Sequence, residues 1–418
     1  MSLEQDILSL GKRARAAARE LAVMRTARKN SILEAMADEL EARRDLILEA
    51  NAKDLEAGKE SGLTNAMIDR LDLNGKRFEG MINGVANLVA LKDPVGRELS
   101  NWVRPNGLVI SKVSVPIGVV GIIYESRPNV TADAAALCFK SGNASILRGG
   151  KEAFHSNCAI ADAIQAGGEE KGLPPNSVQL LRTTDRAAVM PLIKMKDHLD
   201  VIIPRGGEGL INFVADNATV PVLKHDKGVC HIFIDADADQ DKALDIIENA
   251  KVQRPGVCNA VETILIDVKI AEEFLPKVAN RLLALDVELR GDKITCELIP
   301  EAKEATEEDW HTEYLDLILA VKTVTGVEEA ISHIATYGSG HSEAVLSSNS
   351  DVQAAFQQAV DASTVYVNAS TRFTDGAEFG LGAEIGISTN KLHARGPMGL
   401  EELTTYKYLV TGTGQIRE

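Results

Sequence analysis

Over roughly the first 90 residues the apolar positions recur at helical spacing: Leu33, Met36, Ala37, Leu40 and the pair Leu46-Ile47 fall on one face. Gly58 and Gly62 interrupt that pattern. From residue 118 it changes to short β-rich runs alternating with helices. Gly118 to Tyr124 predicts a strand, and Thr131 to Lys140 a helix with Asn129 or Thr131 as its N-cap and Gly142-Asn143 as its stop. Ser145 to Arg148 predicts the next strand, a long helix follows to about Lys171, and Val178 to Leu181 and Val201 to Ile203 predict two more strands with a helix between them. After Pro221 the alternation restarts, with strands expected at His231 to Ile234, Thr263 to Ile266, Asp316 to Val324, Ala344 to Ser347 and Thr364 to Val367. Continuous apolar strands alternating with helices imply a parallel sheet covered on both faces. Two successive series imply two α/β domains, with the boundary near Lys224 to Gly228.

Two segments fit neither series. Leu99 to Val115 alternates as a hairpin around Pro105-Asn106-Gly107, and Thr404 to Gly412 reads as a late strand. Exposed strands so far apart in sequence can pair with each other and extend across subunits, so they are expected to form an oligomerisation arm.

A length of 418 residues agrees with more than one domain. The formal net charge of −16 argues against nucleic acid or an anionic membrane as partner. The basic stretches Lys12 to Arg15 and Arg25 to Lys29 sit in Ala-rich helical patterns and read as solvated helix faces. The longest apolar run, Val113 to Tyr124, contains Pro116 and two Gly, and fits a buried strand rather than a membrane span. The N-terminus, MSLEQDILSL, lacks a basic region before an apolar one, so no signal peptide is expected. Five cysteines, at 138, 158, 230, 258 and 296, form no C-x-x-C pair. Free thiols in a reducing, cytoplasmic compartment are expected, with no structural zinc.

Cys258 is distinguished by its surroundings, Lys251-Val-Gln-Arg-Pro-Gly-Val-Cys-Asn-Ala. Proline disfavours α conformation in the residue before it, so the helix should end ahead of Pro255. Pro255-Gly256 then turns the chain and a strand follows from Ala260 to Ile266. Turns on a rigid scaffold are where reactive groups tend to stand, and the cation Arg254 would favour a thiolate. The competing reading is a small buried hydrophobe, which is how Cys138, Cys158, Cys230 and Cys296 are taken.

Three strand-to-helix turns offer ligand groups. In Tyr124-Glu-Ser-Arg-Pro-Asn129, Ser126 and Asn129 supply donors and Arg127 a fork for an oxyanion; the alternative is a polar cap with one surface arginine. In Ser145-Ile-Leu-Arg-Gly-Gly-Lys151, Gly149 and Gly150 would admit a ligand to the backbone, and Arg148 with Lys151 would favour phosphate. Gly206 and Gly207, in Ile203-Pro-Arg-Gly-Gly-Glu-Gly209, repeat the theme. No G-x-G-x-x-G occurs, so a dinucleotide would bind without the usual glycine fingerprint. His225, at the expected boundary, reads either as an acid–base group or as part of a surface loop.

Four motifs taken in order resemble the aldehyde dehydrogenase superfamily: 116–131 (PIGVVGIIYESRPNVT), 146–153 (ILRGGKEA), 252–260 (VQRPGVCNA) and 379–388 (FGLGAEIGIS). They are most similar to its branch that reduces the acyl phosphate L-glutamyl 5-phosphate to the semialdehyde in proline biosynthesis. The resemblance implies an α/β fold of two doubly wound parallel-sheet domains plus a small β oligomerisation arm. Cofactor-binding residues would be 1–98 and 117–225, the catalytic domain 226–375, and the arm 99–116 with 395–418. It implies Cys258 as nucleophile, NADPH/NADP as cofactor, Arg148 at the adenosine ribose and Glu313 at the nicotinamide ribose. Gly149, Lys151, Gly206 and Gly207 would complete the cofactor site, Arg127 and Arg254 would bind substrate, and no metal is implied. A homo-oligomer, dimer or tetramer, is implied, as is functional association with glutamate 5-kinase.

Two departures stand out. Hydrolytic members carry a water-activating glutamate in a segment that here reads Leu223-Lys-His-Asp-Lys-Gly228, without one. Their oxyanion-binding asparagine aligns with Ser126, so Asn129 or backbone N–H groups are the other candidates. A CoA-acylating aldehyde dehydrogenase and a non-catalytic protein retaining the fold are the alternative readings.

Overall fold

A computed structural model describes residues 3–224 and 227–417; His225 lies outside the described residues. The chain divides into two compact units, residues 1–224 with 380–386 and 398–418, and residues 225–379 with 387–397.

In the first unit, helices Leu3–Leu21, Thr26–Ala42, Arg44–Glu60, Asn65–Leu71 and Gly75–Asn87 precede the strands β1 (Glu98–Val103), β2 (Val109–Pro116), β3 (Val119–Tyr124), β4 (Ala144–Gly149), β5 (Val178–Leu180) and β6 (Val201–Arg205). The last four form a parallel sheet in the order β5-β4-β3-β6. All six residues of β3 are buried, which explains its unbroken apolar run. The chain lays down β3, β4 and β5 in one direction, then returns to place β6 on the other side of β3. The carboxyl ends of β3 and β6 therefore flank a topological switch point, where such sheets bind ligands. The helix after β3 runs Asn129–Lys140, and its N-cap position belongs to Pro128. Neither predicted cap holds that place: Asn129 is already helical and donates to Asp133 Oδ2 at 2.9 Å, while the Thr131 hydroxyl is buried against Tyr124 and Asn157.

β1 and β2 form the expected hairpin, and the late strand Thr404–Thr411 pairs antiparallel with β2, from Thr404 opposite Pro116 to Thr411 opposite Val109. Every residue of β1 is exposed, as are all but the first of the late strand.

The second unit holds β7 (Cys230–Ile234), β8 (Val261–Asp267), β9 (Glu288–Gly291), β10 (Lys303–Glu304), β11 (Ile318–Val324), β12 (Ser342–Leu346) and β13 (Thr364–Val367). They make one seven-stranded parallel sheet in the order β10-β9-β11-β8-β7-β12-β13. Successive residues point to opposite faces. Ile232, Ile264 and Leu346 join one core, with Phe274 of helix Val268–Leu283, while Phe233, Leu265 and Val345 join another with Phe356 of helix Ser350–Ala359. β9 and β10 escape sequence reading because they are short and rich in charge: Glu288 and Arg290 in one, Lys303 and Glu304 in the other. β11 starts at Ile318, two residues later than the apolar pattern suggested. Among the described residues no helix is long and apolar enough to cross a membrane.

Candidate active site

The strands of the second unit are parallel, so the segments leading into them gather along one edge of the sheet. Helix Gln240–Val252 stops ahead of Pro255, and the turn 253–260 then carries Cys258 to the amino end of β8. Glu313 stands in the segment leading into β11 on that edge, half-buried like Cys258. This is the edge opposite the one where open parallel sheets usually bind ligands.

Three features hold the cysteine turn. Gly228, leading into β7, presses on it so closely that a Cβ there would stand 2.0 Å from the Cys258 carbonyl oxygen and 2.6 Å from its Cα. The buried Cys230 thiol donates to that same carbonyl at 3.2 Å. Buried Asn259 donates from Nδ2 to the carbonyls of Thr374 (2.8 Å) and Arg372 (3.3 Å), and its own carbonyl accepts from Thr371 Oγ1 at 2.7 Å. Sequence reasoning passed over Gly228, Asn259 and the 371–374 segment. Asn259 could have been suspected from its place beside the cysteine; the others depend on contacts over more than a hundred residues or on a packing void that no local pattern encodes.

Gly228→Ala is expected to leave the chain folded and to lower the kcat/KM of any reaction that uses the Cys258 thiol about 100-fold, because the added methyl meets backbone and must push Cys258 out of line. Steady-state kinetics beside far-UV circular dichroism test this; unchanged kinetics would mean that the close contact does not set the cysteine's position.

Burial pushes the thiols of Cys138, Cys158, Cys230 and Cys296 upward, which keeps them protonated and inert.

In the first unit, Ser126, Arg127, Asn129, Arg148, Gly149, Lys151, Gly206 and Gly207 all lie at or just beyond the carboxyl ends of β3, β4 and β6. Arg148 is buried, its Nε has no hydrogen-bond partner, and desolvation holds its guanidinium below the usual range. A buried cation with an orphaned donor fits an anionic group of a dinucleotide. Lys151 is exposed at the start of the following 3-10 turn.

Other expectations are revised. Gly149 makes room inside the fold, because a Cβ there would fall 2.0 Å from Asn157 Nδ2. The Gly206-Gly207 turn holds the chain's own Glu125: the Gly207 N–H donates to Glu125 Oε2 at 3.0 Å, and a Cβ at Gly206 would meet the same oxygen at 2.4 Å. A phosphate there would have to displace Glu125. Ser126, at φ +45°, donates from both its N–H (2.6 Å) and its hydroxyl (3.1 Å) to Glu152 Oε1. Its hydroxyl proton is thus engaged in fixing the loop, contrary to its expected role toward an oxyanion. Asn129 keeps one amide hydrogen beyond its bond to Asp133, whose carboxyl is raised by burial to about 6.

A model of the aldehyde dehydrogenase family matches residues 2–305. The chain is 58% identical over 407 residues to a gamma-glutamyl phosphate reductase of Nitratiruptor sp., covering 97% of this chain and 99% of that one. It is 56% identical to one of Moorella thermoacetica over the full length of both. The crystal structure of the gamma-glutamyl phosphate reductase of Thermotoga maritima superposes with a TM-score of 0.96 at 51% identity, covering 99% of this chain and 100% of that one.

Proposed function

Since the chain belongs to the aldehyde dehydrogenase family, whose redox partner is NAD(P), we propose that it reduces L-glutamyl 5-phosphate to L-glutamate 5-semialdehyde and phosphate through a thioester on Cys258. The observation that carries this reading is the Cys258 turn, pinned from three sides and flanked by Arg254. Full-length identity above 50% to relatives named for this reaction supports it.

The Cys258 thiolate attacks the γ-acyl carbon, and phosphate departs with the electron pair of the bond that breaks. Phosphate is a good leaving group, so this step needs little acid assistance. NADPH, when bound, supplies the hydride that reduces the thioester. Arg148 and Lys151 are the residues of the first unit that we assign to holding it, and the orphaned guanidinium nitrogen of Arg148 favours the phosphorylated dinucleotide. The Cys258 backbone N–H would stabilise the tetrahedral oxyanion. Collapse of that oxyanion releases the aldehyde and restores the thiolate. The segment leading to Gly228 carries no glutamate to activate water, which protects the thioester until reduction.

The reverse oxidation therefore needs phosphate as acyl acceptor. Without phosphate, steady-state NADP⁺ reduction by the semialdehyde should run at least about 100-fold slower, since no general base prepares water. Vigorous phosphate-independent oxidation would point to a hydrolytic enzyme, and dependence on CoA to an acylating one.

We also propose that the exposed sheet of β1, β2 and the late strand is a subunit contact, because Trp102, Tyr406, Tyr408 and Val410 leave it apolar and uncovered. We place the reaction in the cytoplasm.

A further inference from the structure

The second unit sets an unanticipated cation beside the nucleophile. Arg372 lies in the 3-10 turn Thr371–Phe373, after β13, and that turn is bolted to the residue following Cys258 by the Asn259 and Thr371 bonds described above. The Arg372 side chain is half-buried and donates from Nε to Gln253 Oε1 at 3.0 Å. That bond ties it to the other end of the cysteine turn and fixes the plane of the guanidinium. Among the described residues neither Arg372 nor Arg254 forms an ion pair, and Arg254 lies on the same turn, four residues before Cys258. Desolvation and, next, the Arg254 charge hold Arg372 below its usual range, against the pull of Asp375 and of the Cys258 and Cys230 thiols. Like charges that act on each other in this way are unfavourable until an anion enters between them.

We infer that Arg372 and Arg254 together bind the phosphate group of the acyl phosphate, as the departing group in reduction and as the attacking one in the reverse reaction. The inference rests on the thioester route proposed above and adds to it the residues that recognise the leaving group. Distance decides between the two anions of the substrate. The phosphoryl oxygen is bonded to the carbon that Cys258 attacks, so phosphate must lie within a few ångströms of the sulfur. The α-carboxylate is separated from that carbon by three intervening carbons. Paired guanidinium forks suit a phosphate dianion, since each can offer two parallel N–H donors.

The test is the reverse reaction with NADP⁺ and glutamate 5-semialdehyde, varying inorganic phosphate. In Arg372→Gln the KM for phosphate should rise about tenfold or more, with the KM for semialdehyde moving less than about twofold. Arg372→Lys should recover part of the loss, because it restores charge without the fork. Arg254→Gln, at an exposed position where folding is not at stake, should raise the same constant. A rise in the semialdehyde KM with the phosphate KM unchanged would overturn the inference by moving these cations to the carboxylate. An unchanged phosphate KM in both Gln variants would overturn it outright. Phosphate-independent turnover by the unaltered enzyme would instead strike at the proposed reaction itself, by making water rather than phosphate the acceptor of the acyl group.

Discussion

Cys258→Ala should lose reduction of L-glutamyl 5-phosphate by about four orders of magnitude or more, while NADPH still binds. Removing a nucleophile from a covalent route eliminates the pathway rather than weakening it, and losses of that size follow where a nucleophile has been deleted elsewhere. Cofactor binding should persist because Arg148 and Lys151, which we assign to it, belong to the first unit, whereas Cys258 belongs to the second. Alanine is smaller than cysteine and the site is only half-buried, so little packing is disturbed. Kinetics and fluorescence titration with NADPH measure the two quantities separately. Retained turnover would mean direct hydride transfer to the acyl phosphate, without a covalent stage.

The second large effect concerns a pair of charges spanning the nucleophile in sequence. Lys251, in the last turn of helix Gln240–Val252, donates to Glu262 Oε2 near the start of β8 at 2.5 Å, and both side chains are fully buried. Glu262 also accepts from the Leu315 N–H at 3.4 Å, next to the segment of Glu313. The pair thus joins the helix before Cys258, the strand after it and the segment leading into β11. Burial pushes the Glu262 carboxyl up to about 7 and lowers Lys251, in each case against the attraction of the partner. Lys251→Met keeps the volume and strands the carboxylate, which should destabilise the protein by roughly 3–5 kcal/mol.

The pH dependence has a definite sign. A folded-state pKa raised above the unfolded value means that the native state binds the proton more tightly, so stability from Glu262 is present below about 4.5 and declines as pH rises toward 7. Without Lys251 that decline continues past 7, so the deficit of the variant should widen between pH 6 and pH 8. Denaturant titrations at several pH values read it. Lys251→Met with Glu262→Leu should recover much of the loss, and a constant deficit would show that Glu262 is not the group left uncompensated.

Most of the architecture could be read from period and punctuation. The unbroken apolar run of β3 marks a strand covered on both faces, and Pro255-Gly256 marks the end of one helix and the cysteine turn. The pairing of residues 109–116 with 404–411 could be anticipated because both alternate and neither belongs to a helix-flanked series. β9 and β10 could not, since Glu288, Arg290, Lys303 and Glu304 give no apolar signal in such short strands. At the site, Cys258 and Arg148 could be singled out from their turns, while their expected roles, and Glu313, came through motif resemblance. The engagement of Ser126 by Glu152 and the filling of the Gly206-Gly207 turn by Glu125 depend on side chains meeting in three dimensions. Glycines in a strand-to-helix turn look alike whether they admit a ligand or a neighbouring side chain. Arg372 was invisible for a related reason: a lone arginine in a polar turn acquires meaning only from the nucleophile beside it.

Trapping the enzyme-bound acyl group would be decisive. Mixing the protein with NADP⁺ and glutamate 5-semialdehyde in the absence of phosphate should give a rapid burst of about one NADPH per subunit, then near-arrest, with the glutamyl group found by mass spectrometry on the peptide containing Cys258. Adding phosphate should release it and restart turnover. Steady turnover without a burst, with that peptide unmodified at every time point, would contradict the account.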